Sequence, residues 1–247
     1  MDNLQRFYPE ARFGGFAESD GTVVFFNRVN SLLHPSFVVV DAGCGRGAYR
    51  EDPIPWRQNL RVLKGKVAKV IGIDVDQRAK ANPFLDEFRL IENDRWPLAD
   101  NAVDLVVCDH VLEHLPDPNH LFLETRRVLK SGGFLCLRTP NRWSYVGITS
   151  TLIPNRYHAK AVGIAQGGRN AQDVFPTFYR CNSIWALRKT MRRHGFESVV
   201  YGHEGQPTYL AFSSLAYALG VLHQRLAPAC VKQAIFAFGR VNKTPPR

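Results

Sequence analysis

The sequence predicts an α/β fold built around a parallel sheet. Short apolar runs rich in β-branched residues recur at 37–40, 67–73, 88–91, 103–108 and 134–138. Runs of this length and composition are typical of strands buried within a parallel sheet. Segments with helix signals separate them, and this alternation of strand and helix is the pattern of an α/β domain.

The clearest helix follows the fourth apolar run. Asp117 is suited to cap its amino end, and Pro118 suits its first turn. One apolar face then follows, formed by Leu121, Phe122, Thr125, Val128 and Leu129. Lys130-Ser131-Gly132-Gly133 predicts the end of the helix, because a cation and a left-handed glycine favour a helix carboxyl terminus.

The alternation of strand and helix signals resumes after a long irregular stretch and predicts further elements. We expect a basic helix over 183–194, a strand over 196–201, a helix over 208–226 and a last strand over 234–239. The helix at 208–226 carries one apolar stripe: Phe212, Leu215, Leu219, Leu222 and Leu226. The irregular stretch, 141–182, is rich in proline and glycine, and such inserts in compact domains are usually functional.

Composition indicates a globular chain. Its 247 residues are 45% hydrophobic and 22% charged, which fits one domain and excludes a disordered chain. The net charge of +10 favours acidic partners. Five widely separated cysteines predict reduced thiols, with neither a disulfide framework nor a metal site. With no secretory pattern and no apolar run of membrane-spanning length, we expect a cytoplasmic protein.

A glycine-rich turn, Asp41-Ala42-Gly43-Cys44-Gly45-Arg46-Gly47-Ala48, directly follows the first strand. Such a turn lets a ligand approach the backbone closely. Gly43-x-Gly45-x-x-Ala48 satisfies the dinucleotide fingerprint. However, a carboxylate at Asp41 would repel a pyrophosphate, whereas it would bind the ammonium of S-adenosylmethionine. The charge at this position therefore favours the methyl donor.

Asp74 ends the second strand, where its carboxylate can accept hydrogen bonds from both hydroxyls of a ribose. NAD sites use an acid for the same purpose, so Asp74 alone does not discriminate between the two cofactors. A role as a surface turn or helix cap describes Asp76 better than Asp74. We therefore assign Asp74, with its neighbour Val75, to cofactor binding.

From Val38 to Asn141 the chain resembles the class I, Rossmann-like S-adenosylmethionine-dependent methyltransferases, in particular the small-molecule group (methyltransferase type 11) that includes the ubiquinone and menaquinone methyltransferases. The matching motifs lie in order at 40–47, 72–74, 96–98, 103–106, 111–115, 127–133 and 139–141. The resemblance implies a seven-stranded mixed sheet with helices on both faces and an antiparallel last strand. It also implies one domain: a lead-in or lid (1–36), a donor-binding core (37–140), an acceptor insert (141–182) and a C-terminal part (183–247) with a helical insert (208–226).

Carried onto this sequence, the resemblance places the methionine end of S-adenosylmethionine at Asp41 and the turn of Gly43, Cys44, Gly45 and Gly47. An acid after the third strand would contact adenine, and spacing leaves Glu92 or Asp94, of which we favour Asp94. Asp109 and His110 would lie near the donor methyl group. His110 is then a candidate proton acceptor, although positioning alone can supply much of the rate of an in-line methyl transfer.

One departure from the family pattern concerns the segment after the glycine-rich turn. Pro53 and Pro55 interrupt what would be the first helix, and residues 51–66 resemble an insertion. We therefore expect an unusually shaped entrance to the donor site. In the lead-in, Tyr8, Arg12 and Phe16 are predicted to fold over that site.

The acceptor is expected to be a small or lipid-linked molecule, methylated at oxygen. In the insert, His158, Tyr179 and Arg180 are the candidate acceptor contacts. The helix at 208–226 is predicted to wall the acceptor pocket. The alternative is that its apolar surface rests on the inner face of an anionic membrane.

Two other functions stay open. An RNA-modifying methyltransferase is disfavoured, because the amino-methyltransferase signature is absent at 108–111 and the basic residues of 188–193 describe one solvated helix face. A non-catalytic regulator that binds S-adenosylmethionine is the alternative outside enzymes. Cys108 is interpreted as a buried core thiol, whereas His114 is either a structural histidine that caps a turn or a base.

Overall fold

The computed structural model describes residues 2–93, 95–152 and 176–243, and within these ranges it contains one seven-stranded sheet. The strand order is β3-β2-β1-β4-β5-β7-β6. β1 to β5 pair in parallel, whereas β7 runs antiparallel to both of its neighbours. The strands are β1 (Val38–Ala42), β2 (Lys69–Asp74), β3 (Glu87–Leu90), β4 (Val103–Asp109), β5 (Leu129–Pro140), β6 (Phe196–His203) and β7 (Ala234–Val241). The predicted mixed sheet with an antiparallel last strand is confirmed.

Helices cover both faces of this sheet. On one face, Phe122 of α4 and Leu187 of α6 join a buried cluster with Val40 of β1. On the other, Phe25 of α2 packs with Val39. The α-helices are α1 (Asn3–Phe7), α2 (Gly21–Leu32), α3 (Pro55–Arg61), α4 (Pro118–Val128), α5 (Tyr145–Leu152), α6 (Ile184–Arg193) and α7 (Ser214–Leu226). Adjacent residues of β1 therefore belong to different cores, which explains its continuous apolar run.

The end of α4 differs from the sequence-based expectation. The helix stops at Val128, and Leu129 is already extended and pairs with Val103 of β4. Gly132 is left-handed, with φ of +84°, but it lies where the register of β5 against β4 shifts. The prediction that Lys130-Ser131-Gly132-Gly133 terminates the helix is therefore wrong, because strand pairing captures the chain before those residues.

The C-terminal helical segment begins with a short 3-10 turn, Thr208–Leu210, and continues as α7 after Ser213, whose side chain accepts from the N–H of Ala216. The inner face of α7 packs through Tyr217 and Val221 on Tyr8 of the lead-in. The apolar stripe lies on the opposite face. Its members, Phe212, Leu215, Leu219, Leu222 and Leu226, are 52% to 80% exposed.

None of the helices in the described ranges is long and apolar enough to cross a membrane.

Candidate active site

The glycine loop, residues 43–47, lies at the carboxyl edge of the sheet, where ligands of open α/β sheets bind. The N–H groups of Gly43 and Cys44 donate to the carbonyl of Ile73, at 2.8 and 3.3 Å, which holds the loop against the end of β2. Gly43, Gly45 and Gly47 all have positive φ. A Cβ on Gly43 would lie 2.3 Å from Val111, whereas one on Gly45 would meet nothing within 4 Å. Gly45 therefore marks the open surface where a ligand can approach the backbone.

Asn82 braces this loop from behind. Its buried amide donates to the carbonyls of Cys44 and Gly45, at 3.0 and 3.2 Å, and its oxygen accepts from the N–H of Phe84. Asn82 carries no signal in the sequence that would predict this role, since it lies in an irregular segment without a motif. Burial raises the pKa of the Cys44 thiol, so Cys44 serves the loop through its backbone.

Asp74 connects the loop to the end of β2. Its Oδ2 accepts from the N–H of Gly45 and its Oδ1 accepts from the N–H of Asp76, both at 2.9 Å. These bonds fix the carboxylate and leave lone pairs for a ligand hydroxyl. Val75 beside it is mostly exposed. Asp94 lies outside the described residues, and Glu92 is exposed.

Asp41 is the unsatisfied acid of the site. Its carboxylate is partly accessible, and no described residue donates a hydrogen bond to it. Burial, together with the Asp109 and Asp74 carboxylates, raises its pKa to about 7, and Arg61 only partly opposes this shift. A cationic ligand group would relieve this disfavoured negative charge.

Asp109, at the end of β4, is by contrast fully paired. Arg138 of β5 donates to it from Nε at 2.6 Å and from Nη2 at 2.7 Å, and from Nη1 to Thr22 at 3.0 Å. Burial alone would raise the pKa of Asp109, but the charge and hydrogen bonds of Arg138, together with the His110 and Arg61 side chains, outweigh burial and lower this pKa. The pairing suits Asp109 to a positioning role and disfavours it as a proton acceptor.

His110 occupies the corner after β4 in a left-handed conformation, with φ of +59°. Such a conformation is sparsely populated by residues other than glycine and is held by its surroundings. Its backbone N–H donates to the Arg138 carbonyl, and its Nδ1 lies 3.2 Å from Oε1 of Glu113. A carboxylate at Nδ1 favours the tautomer that leaves the lone pair on Nε2.

Glu113 is a buried carboxylate to which sequence analysis gave no individual role. Besides His110, it accepts a hydrogen bond from Thr139 at 3.0 Å. Burial acts in the opposite direction, but the contact with His110 lowers the pKa of Glu113. It therefore remains ionised and orients the imidazole. His114 contacts the Pro176 carbonyl through Nδ1 at 2.8 Å, consistent with a turn residue.

A cavity of about 290 Å³ opens beside His110 and Arg138. Polar groups from the lead-in and the C-terminal part line it, among them Thr22, His203 and Tyr209. The His203 ring stacks on Phe236, with centroids 4.6 Å apart, and burial lowers its pKa. The cavity is thus a pocket with a neutral imidazole and hydroxyl groups, next to the corner that holds His110.

Two of the predicted acceptor contacts, Tyr179 and Arg180, lie in different parts of the structure. Tyr179 lies beside the backbone of Glu113, since its N–H and that of Phe178 donate to the Glu113 carbonyl at 3.4 and 2.8 Å. Arg180 instead lines a second cavity of about 460 Å³, together with Trp185 and Lys189. His158 lies outside the described residues.

Known proteins resemble this chain in both sequence and fold. Residues 40–137 match the model of the methyltransferase domain family. A probable S-adenosylmethionine-dependent methyltransferase of Mycolicibacterium smegmatis is 32% identical over 64% of this chain and 60% of its own length. A ubiquinone biosynthesis O-methyltransferase of Thiobacillus denitrificans is 29% identical over 42% of this chain and 44% of its own. The chain thus spans less than two thirds of either relative.

Solved structures share the fold at lower identity. One is a complex between the Haloferax volcanii Trm112 methyltransferase activator and a putative methyltransferase, with a TM-score of 0.59, 16% identity and coverage of 92% of both chains. Another is geranyl diphosphate C-methyltransferase from Streptomyces coelicolor, with a TM-score of 0.54, 16% identity and coverage of 89% of this chain and 77% of that one. Residues 40–137 thus match a methyltransferase domain, and the chain is similar in sequence to a probable S-adenosylmethionine-dependent methyltransferase.

Proposed function

We propose that this chain binds S-adenosylmethionine along the glycine loop and catalyses methyl transfer to a small molecule held in the cavity beside His110. The observation that carries this proposal is the position of the 109–110 corner. On the donor side, Asp109 ends β4 two residues after Val107, the register partner of Asp41 in β1, and on the other side His110 lines the cavity. Donor and acceptor regions therefore meet at one pair of residues.

The residues present fit this donor. The backbone at Gly45 is open, and Asp41 accepts no hydrogen bond from any residue that the structure describes, which suits the ammonium of the methionine part. Asp74 would hold the ribose hydroxyls, with Val75 and Asp94 toward the adenine. Asp41 would oppose a dinucleotide pyrophosphate. When bound, S-adenosylmethionine supplies a methyl group activated for displacement by its sulfonium.

Oxygen is the proposed target atom. A hydroxyl acceptor must lose a proton on methylation, and His110, which lines the cavity, would accept it at Nε2. Glu113 would then stabilise the charged imidazole through Nδ1. The hydroxyl and ring groups of the cavity would orient the acceptor, with Tyr179 contributing from the side of Glu113.

Calorimetric titration with S-adenosylmethionine, S-adenosylhomocysteine and NAD tests the donor. We expect micromolar binding of both adenosyl ligands, none of NAD, and a large loss in Asp41→Asn. Binding of NAD alone would overturn the proposal. Labelled donor with hydroxylated small molecules and RNA then tests the acceptor. Donor binding without any methylated product would favour the non-catalytic regulator.

The exposed stripe of α7 favours a second candidate, in which the acceptor is lipid-linked and the chain contacts a membrane from the side of α7. The stripe exposes five large apolar side chains, and no carboxylate occurs from residue 205 onward. The preceding turn, with Thr208 and Tyr209, lines the cavity beside His110. A bilayer at α7 would therefore lie near the acceptor entrance.

Flotation with anionic vesicles at low salt tests this candidate. We expect the wild type to float and the double variant Leu219→Ser, Leu222→Ser to remain in solution. Leu123→Ser is the matched control, because Leu123 of α4 is 55% exposed outside the stripe. A wild type that does not float would remove the candidate.

A further inference from the structure

The segment between β1 and β2 carries an arginine that the family motifs do not explain. α3 begins at Pro55, contains seven residues and ends at Arg61. A short 3-10 turn, Ala48–Glu51, follows the glycine loop, and Pro53 separates this turn from α3. Arg61 reaches the cleft beside Asp41 and Asp109.

Among the described residues, aromatic rings contact the guanidinium of Arg61, and none accepts a hydrogen bond from it. It lies 4.4 Å from the centroid of Tyr49 and 5.7 Å from that of Phe26. Its Nη2 is 3.6 Å from Oδ2 of Asp109, which is longer than a hydrogen bond. Its Nε is buried and has no hydrogen-bond partner in the part of the chain that the structure describes, although 28% of the side chain is exposed.

Arg57, one turn earlier in α3, differs from Arg61 because its guanidinium is hydrogen-bonded to carboxylates. It donates to both oxygens of Asp52 at 2.7 Å and to Asp20 at 2.9 Å. Buried polar groups are normally satisfied in this way, and an orphaned donor such as that of Arg61 calls for an explanation. A ligand acceptor would supply one.

Asp41 is the counterpart of Arg61. Its carboxylate also has no hydrogen-bond donor among the described residues, and the two side chains interact through space without forming an ion pair. A cation and an anion thus lie at the carboxyl edge of the sheet, each with hydrogen-bonding capacity that no described residue uses. This arrangement is complementary to the two charges of an α-amino acid group.

We propose that Arg61 binds the carboxylate at the amino-acid end of the donor while Asp41 binds its ammonium, so that the inserted helix selects a zwitterionic donor. This inference rests on the proposed function. It assigns specificity to a residue outside the glycine loop. Tyr49 and Phe26 fix the guanidinium before the ligand arrives, which reduces the ordering required on binding.

Three ligands that differ only at this end separate the two contacts. S-adenosylhomocysteine has both charges, its decarboxylated analogue has the ammonium alone, and 5′-methylthioadenosine has neither. Titrations at pH 8.5 keep Asp41 ionised. We expect Arg61→Gln to weaken binding of S-adenosylhomocysteine by about 10- to 100-fold and to spare the other two ligands. Asp41→Asn should weaken both charged ligands and spare 5′-methylthioadenosine.

Arg50→Gln is the matched control, because Arg50 is exposed and its ion pair with Glu51 is 3.8 Å long. Arg61→Lys should restore part of the affinity. Unchanged binding of S-adenosylhomocysteine in Arg61→Gln would overturn the inference, as would equal weakening of the decarboxylated analogue. If Arg61→Gln does not fold, the affinities of the wild-type protein test the inference. The wild type must then bind S-adenosylhomocysteine about tenfold or more tightly than the decarboxylated analogue. A wild type that binds none of the three overturns the proposed donor itself.

Discussion

Arg138 and Asp109 form a forked ion pair across neighbouring strands, with Nε–Oδ1 and Nη2–Oδ2 distances of 2.6 and 2.7 Å. The two residues are register partners of β5 and β4, so the sheet itself sets their separation. The remaining nitrogen of the guanidinium, Nη1, donates to Thr22 of α2. The Arg138 side chain thereby holds Asp109 on the donor side and Thr22 of α2, and it also lines the cavity.

Loss of this pair should destabilise the protein. Arg138→Gln leaves the Asp109 carboxylate buried without its main partner, and we expect a loss of about 3–5 kcal/mol in the free energy of unfolding. Urea denaturation followed by circular dichroism measures it. Arg95→Gln is the control, since the Arg95–Asp100 pair is exposed and 3.7 Å long, and should change stability by less than about 1 kcal/mol. Equal effects of the two variants would contradict a buried, structural pair.

Glu113 should influence the rate and not donor binding. Glu113→Gln keeps the shape of the contact with His110 but removes the charge that stabilises a protonated imidazole. We expect kcat to fall by about 10- to 100-fold, while the Kd for S-adenosylhomocysteine changes by less than about twofold. His114→Gln is the control, because His114 is the neighbouring histidine and contacts the Pro176 carbonyl. This variant should keep near wild-type kcat. Weaker donor binding without a change in kcat would assign Glu113 to the donor site.

The sheet was predictable because its strands are apolar on both faces and helices separate them. The glycine loop and Asp74 were predictable because each directly follows a strand, and parallel strands end at the same edge. Asn82 was not, since it braces the loop from an irregular segment. The pairing of Arg138 with Asp109 depends on the register of two strands 29 positions apart, which periodicity does not determine.

The faces of α7 show another limit. Periodicity identified the stripe that includes Leu215 and Leu219, but the structure buries Tyr217 and Val221 instead. The reason is a long-range partner, since Tyr8 of the lead-in occupies the inner side of the helix. A helical stripe thus indicates which residues share a face, and tertiary contacts decide which face is buried.

Gly45 should matter for the ligand more than for the fold. Gly45→Ala places a Cβ in open space at φ of +52°, so the expected destabilisation is about 1 kcal/mol. The same Cβ would intrude on a ligand lying over the loop. Gly65→Ala is a matched control, because Gly65 also has positive φ and open space but lies outside the site. Both variants should lose similar stability in thermal unfolding, whereas calorimetry should show weaker binding of S-adenosylhomocysteine in Gly45→Ala alone.

Donor affinity should depend on pH through Asp41. Its pKa in the free protein is raised to about 7, so below that pH the carboxyl is mostly protonated and cannot pair with an ammonium. Binding of a cationic group favours the ionised form and releases the proton, so affinity should rise with pH and level off above about 7. Titrations of S-adenosylhomocysteine from pH 5.5 to 8.5 should show up to about tenfold per pH unit on the acid side. Asp41→Asn should bind more weakly with a flat profile, and a slope that persists in this variant would assign the proton to another group.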